Sequence, residues 1–291
     1  MMKELLTSTL MYRLTKHQLQ SRKMRRGHHK GGRRSARSGN SLEFSDFRNY
    51  QPWDDLRLID WNVYARTSKH YIKRYLDEQE LVVSLYIDCS NSMTTLPKKW
   101  MFAKGLAAAL GYMSLSSDDR VGVFPIGSDS HPFMYKKGKA FSNRLIFYLA
   151  GVKPNEAPIH FSETIQKMIQ PNSSVSILIS DLLEPLKKIE TALKKLQAYK
   201  QELYVIQVLT EEEMIPDYQG DLELIDSETK AFLNVSMNSS IKKQYQSRLQ
   251  EHTEYIRKFC HMRGIGFIQC NTASSLDEVI FKELSSKGWV E

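Results

Sequence analysis

From about residue 80 onward the chain alternates between short apolar runs and longer segments whose apolar residues recur every three or four positions. The runs LVVSLYID, DRVGVFPIG, SVSILISD, ELYVIQVL and GIGFIQC have the length and β-branched content of buried strands. Between and after them, KKWMFAKGLAAALGYMSL, FSNRLIFYLAGV, SETIQKMI, PLKKIETALKKLQAYK, SIKKQYQSRLQEHTEYIRKFCHMR and SLDEVIFKELSSKG carry helical spacing, and Pro185 suits a first helical turn. GDLELIDSETKAFLNV is predicted as a hairpin. Strands alternating with helices predict an α/β fold: a mostly parallel sheet with helices on both faces. No internal repeat is visible.

Upstream the pattern changes. SGNSLEFSDFRNYQPWDDLRLIDWNVYARTSKHYIKRYLDEQE is too rich in Trp, Tyr and Phe for a disordered linker. Within it LRLIDWNVYA and HYIKRYL alternate, predicting short strands laid against a neighbouring surface. The opening MMKELLTSTLMYRLTKHQLQ has amphipathic helical spacing and no small-residue cleavage site, so it does not read as a secretory signal. The expected organisation is a helix and basic arm over 1–37, an aromatic and charged extension over 38–79 packing on the sheet, and the α/β domain over 80–291.

Composition narrows the class. An apolar fraction of 41% with 25% charged residues is that of a globular protein, and no run is long enough to span a bilayer. Three cysteines, Cys89, Cys260 and Cys270, form neither a disulfide framework nor a zinc pattern, which fits a reducing, cytoplasmic compartment. Cys89 is expected to point away from its neighbours into the sheet packing. Of the 41 Lys and Arg, eight lie between Arg22 and Arg37, so 33 bases face 33 acids in the rest. The net charge of +8 is therefore local to RKMRRGHHKGGRRSAR. That tract could contact phosphate or an anionic membrane surface, but no aromatic residues interleave it to stack on bases, and an arm that is solvated or pairs with acids of its own domain or a partner is the better reading. The histidines, among them His28, His29, His160 and His261, are read as structural or exposed.

The candidate chemistry sits at strand ends, where open α/β sheets build their sites. LYIDCSNSM closes an apolar strand with Asp88, Ser90 and Ser92, and ISD closes another with Asp181. Two acids and two hydroxyls delivered to one sheet edge are hard oxygen donors suited to Mg2+ or Mn2+. The bland alternative is that Ser90 or Ser92 caps the helix beginning near Pro97. In the extension, Arg48, Arg57 and Arg66 alternate with Asp46, Asp54, Asp55 and Asp60 and can pair bidentately, with Trp61 and Tyr64 burying the apolar side. These pairs read first as a staple for the extension and second as a partner surface.

DCSNSM followed by a helix resembles the metal-ion-dependent adhesion site of von Willebrand factor A-like domains. The run through Glu43, Phe44, Arg48, Tyr50, Asp54, Asp55, Arg57, Asp60, Trp61, Ala65, Arg66 and Thr67, coupled to that motif, resembles the domain-of-unknown-function family fifty-eight, often encoded beside MoxR-type AAA+ ATPases. The resemblance implies a von Willebrand factor A-like, Rossmann-like sheet. It also implies a first metal loop of Asp88, Ser90 and Ser92, with Asp181 joining from the third loop through water. The second loop departs from the family: APIHFSETI offers Ser162 or Thr164 without the usual glycines. Trp53 also departs, standing where the family usually has glycine.

Three functions compete. The first is a non-enzymatic interaction module, in which a partner's acid completes the ion and a MoxR-type ATPase or its client is the partner, in assembly or maturation of other proteins. The second is a metal-dependent phosphohydrolase using Asp88. No phosphate loop, nucleophile elbow or HExxH pair supports it, and Ser90 stands where an aspartyl-phosphate enzyme carries a second carboxylate. The third is nucleic-acid binding through residues 22–37, which lacks any reader motif elsewhere. The expectation is the first, with the oligomeric state open.

Overall fold

The computed structural model describes residues 5–21, 34–35, 44–75, 77–78, 80–154, 160–226 and 231–291. The chain divides into two units, Met1–Gln20 with Leu81–Glu291, and Ser21–Glu80. Helix α1 (Ser8–Leu14) thus belongs with the sheet-bearing unit. The basic tract, apart from the backbone of residues 34–35, lies outside the described residues, as do Glu43 and the side chain of Asp46.

In the smaller unit, β1 (Phe44–Asn49) leads through a 3-10 turn at Leu56–Leu58 to α2 (Trp61–Thr67) and then to β2 (Tyr71–Tyr75). β1 and β2 are antiparallel, Arg48 opposite Ile72. Within HYIKRYL, Tyr71–Tyr75 is a strand as expected, but LRLIDWNVYA is not. Asp60 breaks its alternation: from extended backbone its Oδ1 accepts from Asn62 N at 2.9 Å and Val63 N at 3.2 Å. Those are donors that a helix start leaves unsatisfied, so the acid nucleates α2. Helical geometry then sets residues three apart on one face. Trp61 therefore meets Tyr64 edge-on at 5.9 Å, and Tyr64 stacks on His70 at 4.4 Å. The expectation that these rings bury an apolar side is overturned; Trp61 is 58% exposed. Among the described residues of this unit the buried apolar side chains are Ile59 and Ile72, joined by a β-bridge.

The larger unit runs β3 (Val82–Asp88), α3 (Asn91–Thr94), α4 (Pro97–Ser116), β4 (Arg120–Ile126), β5 (Phe133–Lys137), α5 (Ser142–Gly151), α6 (Phe161–Met168) and β6 (Val175–Ser180). It continues with α7 (Leu186–Ala198), β7 (Glu202–Leu209), α8 (Glu211–Met214), the hairpin β8 (Gly220–Ile225) and β9 (Phe232–Met237), α9 (Ser239–Met262) and β10 (Gly266–Asn271). The last segment passes from a helical turn at Leu276–Glu278 into a π-helical stretch at Val279–Leu284. Six strands form one sheet in the order β10-β7-β6-β3-β4-β5, parallel except for β5. The hydrophobic pattern gave no sign of β5, because this edge strand buries only Phe133.

Alternation along the central strands divides the core between the two sheet faces. Tyr86, Phe124, Leu178 and Val205 pack with Ile189, Leu193 and Leu196 of α7 and with Ile256 of α9. On the other face α4 lies so close that a Cβ on Gly111 would stand 2.7 Å from Leu145 and 3.2 Å from Leu85. Consequently α4 is buried nearly all round, including Lys99 and Lys104. Each fully buried aliphatic side chain contributes roughly 1.5–3 kcal/mol, so α4 tolerates a buried lysine provided its charge is met.

The chain ends close against the sheet. Gln18 and Glu291 exchange backbone hydrogen bonds of 2.8 and 3.1 Å, and Tyr204 on β7 donates to Gln20 O at 2.9 Å while stacking on Trp289 at 4.3 Å. All three cysteines are free and buried. Among the described residues no helix is long and apolar enough to cross a membrane.

Candidate functional site

Register places the first loop. Ile87 pairs with Ile179, so the next residues along β3 and β6, Asp88 and Ser180, are neighbours at the carboxyl edge. Ser180 Oγ donates to Asp88 Oδ2 at 2.6 Å, and Ser90 N donates to Oδ1 at 2.9 Å. The Ser90 and Ser92 hydroxyl oxygens lie 3.1 Å apart. Ser90 precedes α3 but makes no side-chain cap, and α4 begins at Pro97 with Leu96 at its cap position. The capping alternative is therefore not what the hydroxyls do. Asp88 is 1% exposed, and burial first, then the nearby charge of Asp181, push its carboxyl up to about 7.

The third loop is held by a residue that sequence reasoning missed. Lys99, 0% exposed, donates from Nζ to Asp181 Oδ2 at 2.8 Å, Glu213 Oε1 at 2.7 Å and Ser92 O at 3.2 Å. Asp181 Oδ1 accepts from Leu183 N at 3.2 Å. Burial opposes the ammonium, but the two carboxylates outweigh it and hold Lys99 above the ordinary lysine value. One signal was available: Lys99 shares the helical stripe of Phe102, Ala103 and Leu106, an apolar face on which a lysine needs a partner. Ser180 and Glu213 carried no comparable mark.

The second loop is only partly assembled with the others. Ser162 donates to Glu184, in the loop after β6, and His160 Nδ1 lies 3.9 Å from the same carboxylate. Thr164 donates back to His160 O at 3.1 Å, within its own helix. The structure therefore ties Ser162 to the third loop and leaves Thr164 with local work. Toward β7 and β10 the same edge opens into a cleft of about 1130 Å³, lined by Leu96, Pro97, Lys98, Thr210, Ile215 and Thr272 among others.

Among the described residues no three His, Cys, Asp or Glu side chains are grouped to hold a metal. The donor chemistry of the first loop nevertheless fits a hard dication. Asp88 is a buried carboxylate for which the described residues supply hydroxyl and amide donors but no cation, and two hydroxyls adjoin each other two and four residues along. A dication there would offset the burial and repulsion that raise Asp88. The residues that would hold it are Asp88, Ser90 and Ser92.

In the smaller unit, Arg48 and Asp54 form the expected bidentate pair, with two bonds of 2.5 Å, and Gln51 N adds a third donor to Asp54 at 2.8 Å. Arg57 pairs with Asp55 on the surface, and its hydrogen bonds bring Asp55 down to about 2. Among the described residues Arg66 forms no such pair; its Nε donates to Asn62 O at 3.3 Å. Trp53 is fully exposed at φ 83°.

Comparison with known proteins gives distant relatives. An uncharacterized protein of Mycobacterium bovis, Mb1516, is 24% identical over 237 residues, covering 78% of this chain and 73% of the relative. The Mycobacterium tuberculosis protein Rv1480 matches to the same extent. Among solved structures, BatB from Bacteroides thetaiotaomicron is 14% identical with a TM-score of 0.41, covering 72% of this chain and 98% of that one. An aerotolerance-related membrane protein from Bacteroides fragilis is 14% identical with a TM-score of 0.39, covering 71% and 99%. The family model described as protein of unknown function DUF58 matches residues 46–255, and this chain belongs to that family.

Proposed function

We propose that this chain is a non-enzymatic protein-interaction module whose Asp88–Ser90–Ser92 corner takes Mg2+ or Mn2+. The ion supplies a positive centre that a partner's carboxylate completes, so that association depends on metal and nothing covalent occurs. The observation that carries this reading is Asp88 itself, a buried carboxylate beside two hydroxyls at the carboxyl edge of the sheet, met by no cation among the described residues. The partner is a MoxR-type AAA+ ATPase or its client, a choice that rests on the sequence resemblance. The exposed Trp53, Leu56 and Trp61 of the smaller unit offer further apolar contact area, of the aromatic kind that anchors interfaces.

The test is capture of a purified MoxR-type AAA+ ATPase from the same organism, with wild type and Asp88→Ala, in Mg2+ and in chelator. Binding in Mg2+ alone, lost with Asp88→Ala, is expected. Equal capture under all four conditions overturns the reading. Turnover of a generic phosphate monoester that needs Mg2+ and Asp88 would replace it with the phosphohydrolase.

A further inference from the structure

We infer that Lys99 is the resident cation of this edge: its ammonium keeps Asp181 and Glu213 for itself, so a dication at the Asp88 corner binds without Asp181. Lys99 thereby sets how strongly the edge depends on metal. The inference deepens the reading of the corner as a cation site and rests on it only for the wild-type protein.

An ammonium has three N–H donors, and three acceptors at 2.7, 2.8 and 3.2 Å use all of them. Two carboxylates and a carbonyl are the donor types that a hard metal ion selects, here wrapped around a covalently attached charge. The acceptors come from the segments that follow β3, β6 and β7, namely α3, the loop after β6 and α8, which the ammonium ties together. Glu213 is oriented for this task, since its Oε2 accepts from Thr210 N at 2.8 Å and Thr210 Oγ1 at 3.1 Å while Oε1 faces Lys99. With Oδ1 of Asp181 on Leu183 N and Oδ2 on Lys99, both its oxygens are engaged. A dication that drew Asp181 away would strip a fully buried ammonium of one of its two counter-charges, and an uncompensated buried charge is costly.

The experiment titrates Mn2+ alone into the full-length chain by calorimetry and records the melting temperature with and without Mn2+. Wild type, Asp88→Asn, Asp181→Asn and Lys99→Met are compared. Asp181→Asn is expected to change Mn2+ affinity less than about threefold, and Asp88→Asn to lower it more than about tenfold. Lys99→Met, which leaves two acids without their cation, is expected to gain a Mn2+-dependent rise in melting temperature larger than that of wild type. If Lys99→Met does not fold, Lys99→Met with Glu213→Gln keeps one acid and carries the same expectation. An Asp181→Asn loss equal to that of Asp88→Asn, or no Mn2+-dependent rise in the lysine variants, overturns the inference. A wild type that takes up no Mn2+ beside a Lys99→Met that does overturns the corner reading and leaves the role of Lys99 standing.

Discussion

Ser180 Oγ donates a 2.6 Å hydrogen bond to Asp88 Oδ2 across the β3–β6 pair, tying the carboxylate that ends one strand to the last residue of the next. Both residues are buried, and 92 positions separate them in the chain. The bond is charge-assisted whenever Asp88 is ionised, which makes it stronger than a neutral pair. It is the geometric basis for treating the edge as one site rather than two strand ends.

Ser180→Ala removes that donor, leaves Asp88 with the amide and hydroxyl of Ser90, and takes from Leu182 N the acceptor it meets at 3.0 Å. Hydrogen bonds to charged groups contribute about 1.5–3 kcal/mol, so a loss of that order in urea unfolding near pH 8 is expected. The loss should shrink at pH 5, where Asp88 is protonated in the folded state. A wholly pH-independent loss would assign the effect to the bond that Ser180 Oγ accepts from Leu182 N and to packing, not to Asp88.

The raised Asp88 carboxyl sets a sign for the pH dependence. The folded state keeps a proton up to about 7 that the unfolded chain releases near the ordinary aspartate value of 3.8. Stability measured in chelator therefore falls as pH rises through that window, by at most about 1.4 kcal/mol per pH unit from this group, and the fall ends above it. Asp88→Asn should lack this component, so the difference between the two urea-unfolding profiles isolates it. Parallel profiles would mean that Asp88 is not perturbed.

Gly266 lies under an aromatic stack: a Cβ there would stand 2.5 Å from Tyr204 and 2.6 Å from Trp289. Gly266→Ala must push apart rings now 4.3 Å from centroid to centroid. Overpacking of this kind costs about 1–3 kcal/mol. The expected result is a lower melting temperature with altered Trp289 fluorescence, and an unchanged spectrum would refute the close approach.

Trp53 is fully exposed and holds φ 83°, a region that a bulky L-residue occupies at a cost. Trp53→Gly removes about 1 kcal/mol of backbone strain without removing packing. Amide exchange of Tyr64 and Ser68, whose N–H groups close the α2 turns, is expected to slow or stay level. Faster exchange would show that the indole supports the smaller unit.

The sequence by itself determined the layer architecture and marked half of the candidate site. Periods of two and of three to four residues are local properties, so the apolar runs declared five parallel strands and the helices between them, and Asp88, Ser90 and Ser92 were legible because they fall within five residues of one another, from the end of β3 into α3. Locality also explains the misreadings. An alternating pattern could not reveal that Asp60 would cap a helix, and a half-exposed edge strand such as β5 leaves little apolar mark. Tertiary structure alone decided the other half. Lys99 meets Asp181 at a separation of 82 residues and Glu213 at 114, contacts that exist only once the strand order and register bring three segments to one edge. The charge of a buried lysine must find its partners within the fold, and no pattern of neighbours along the chain specifies which acids those are.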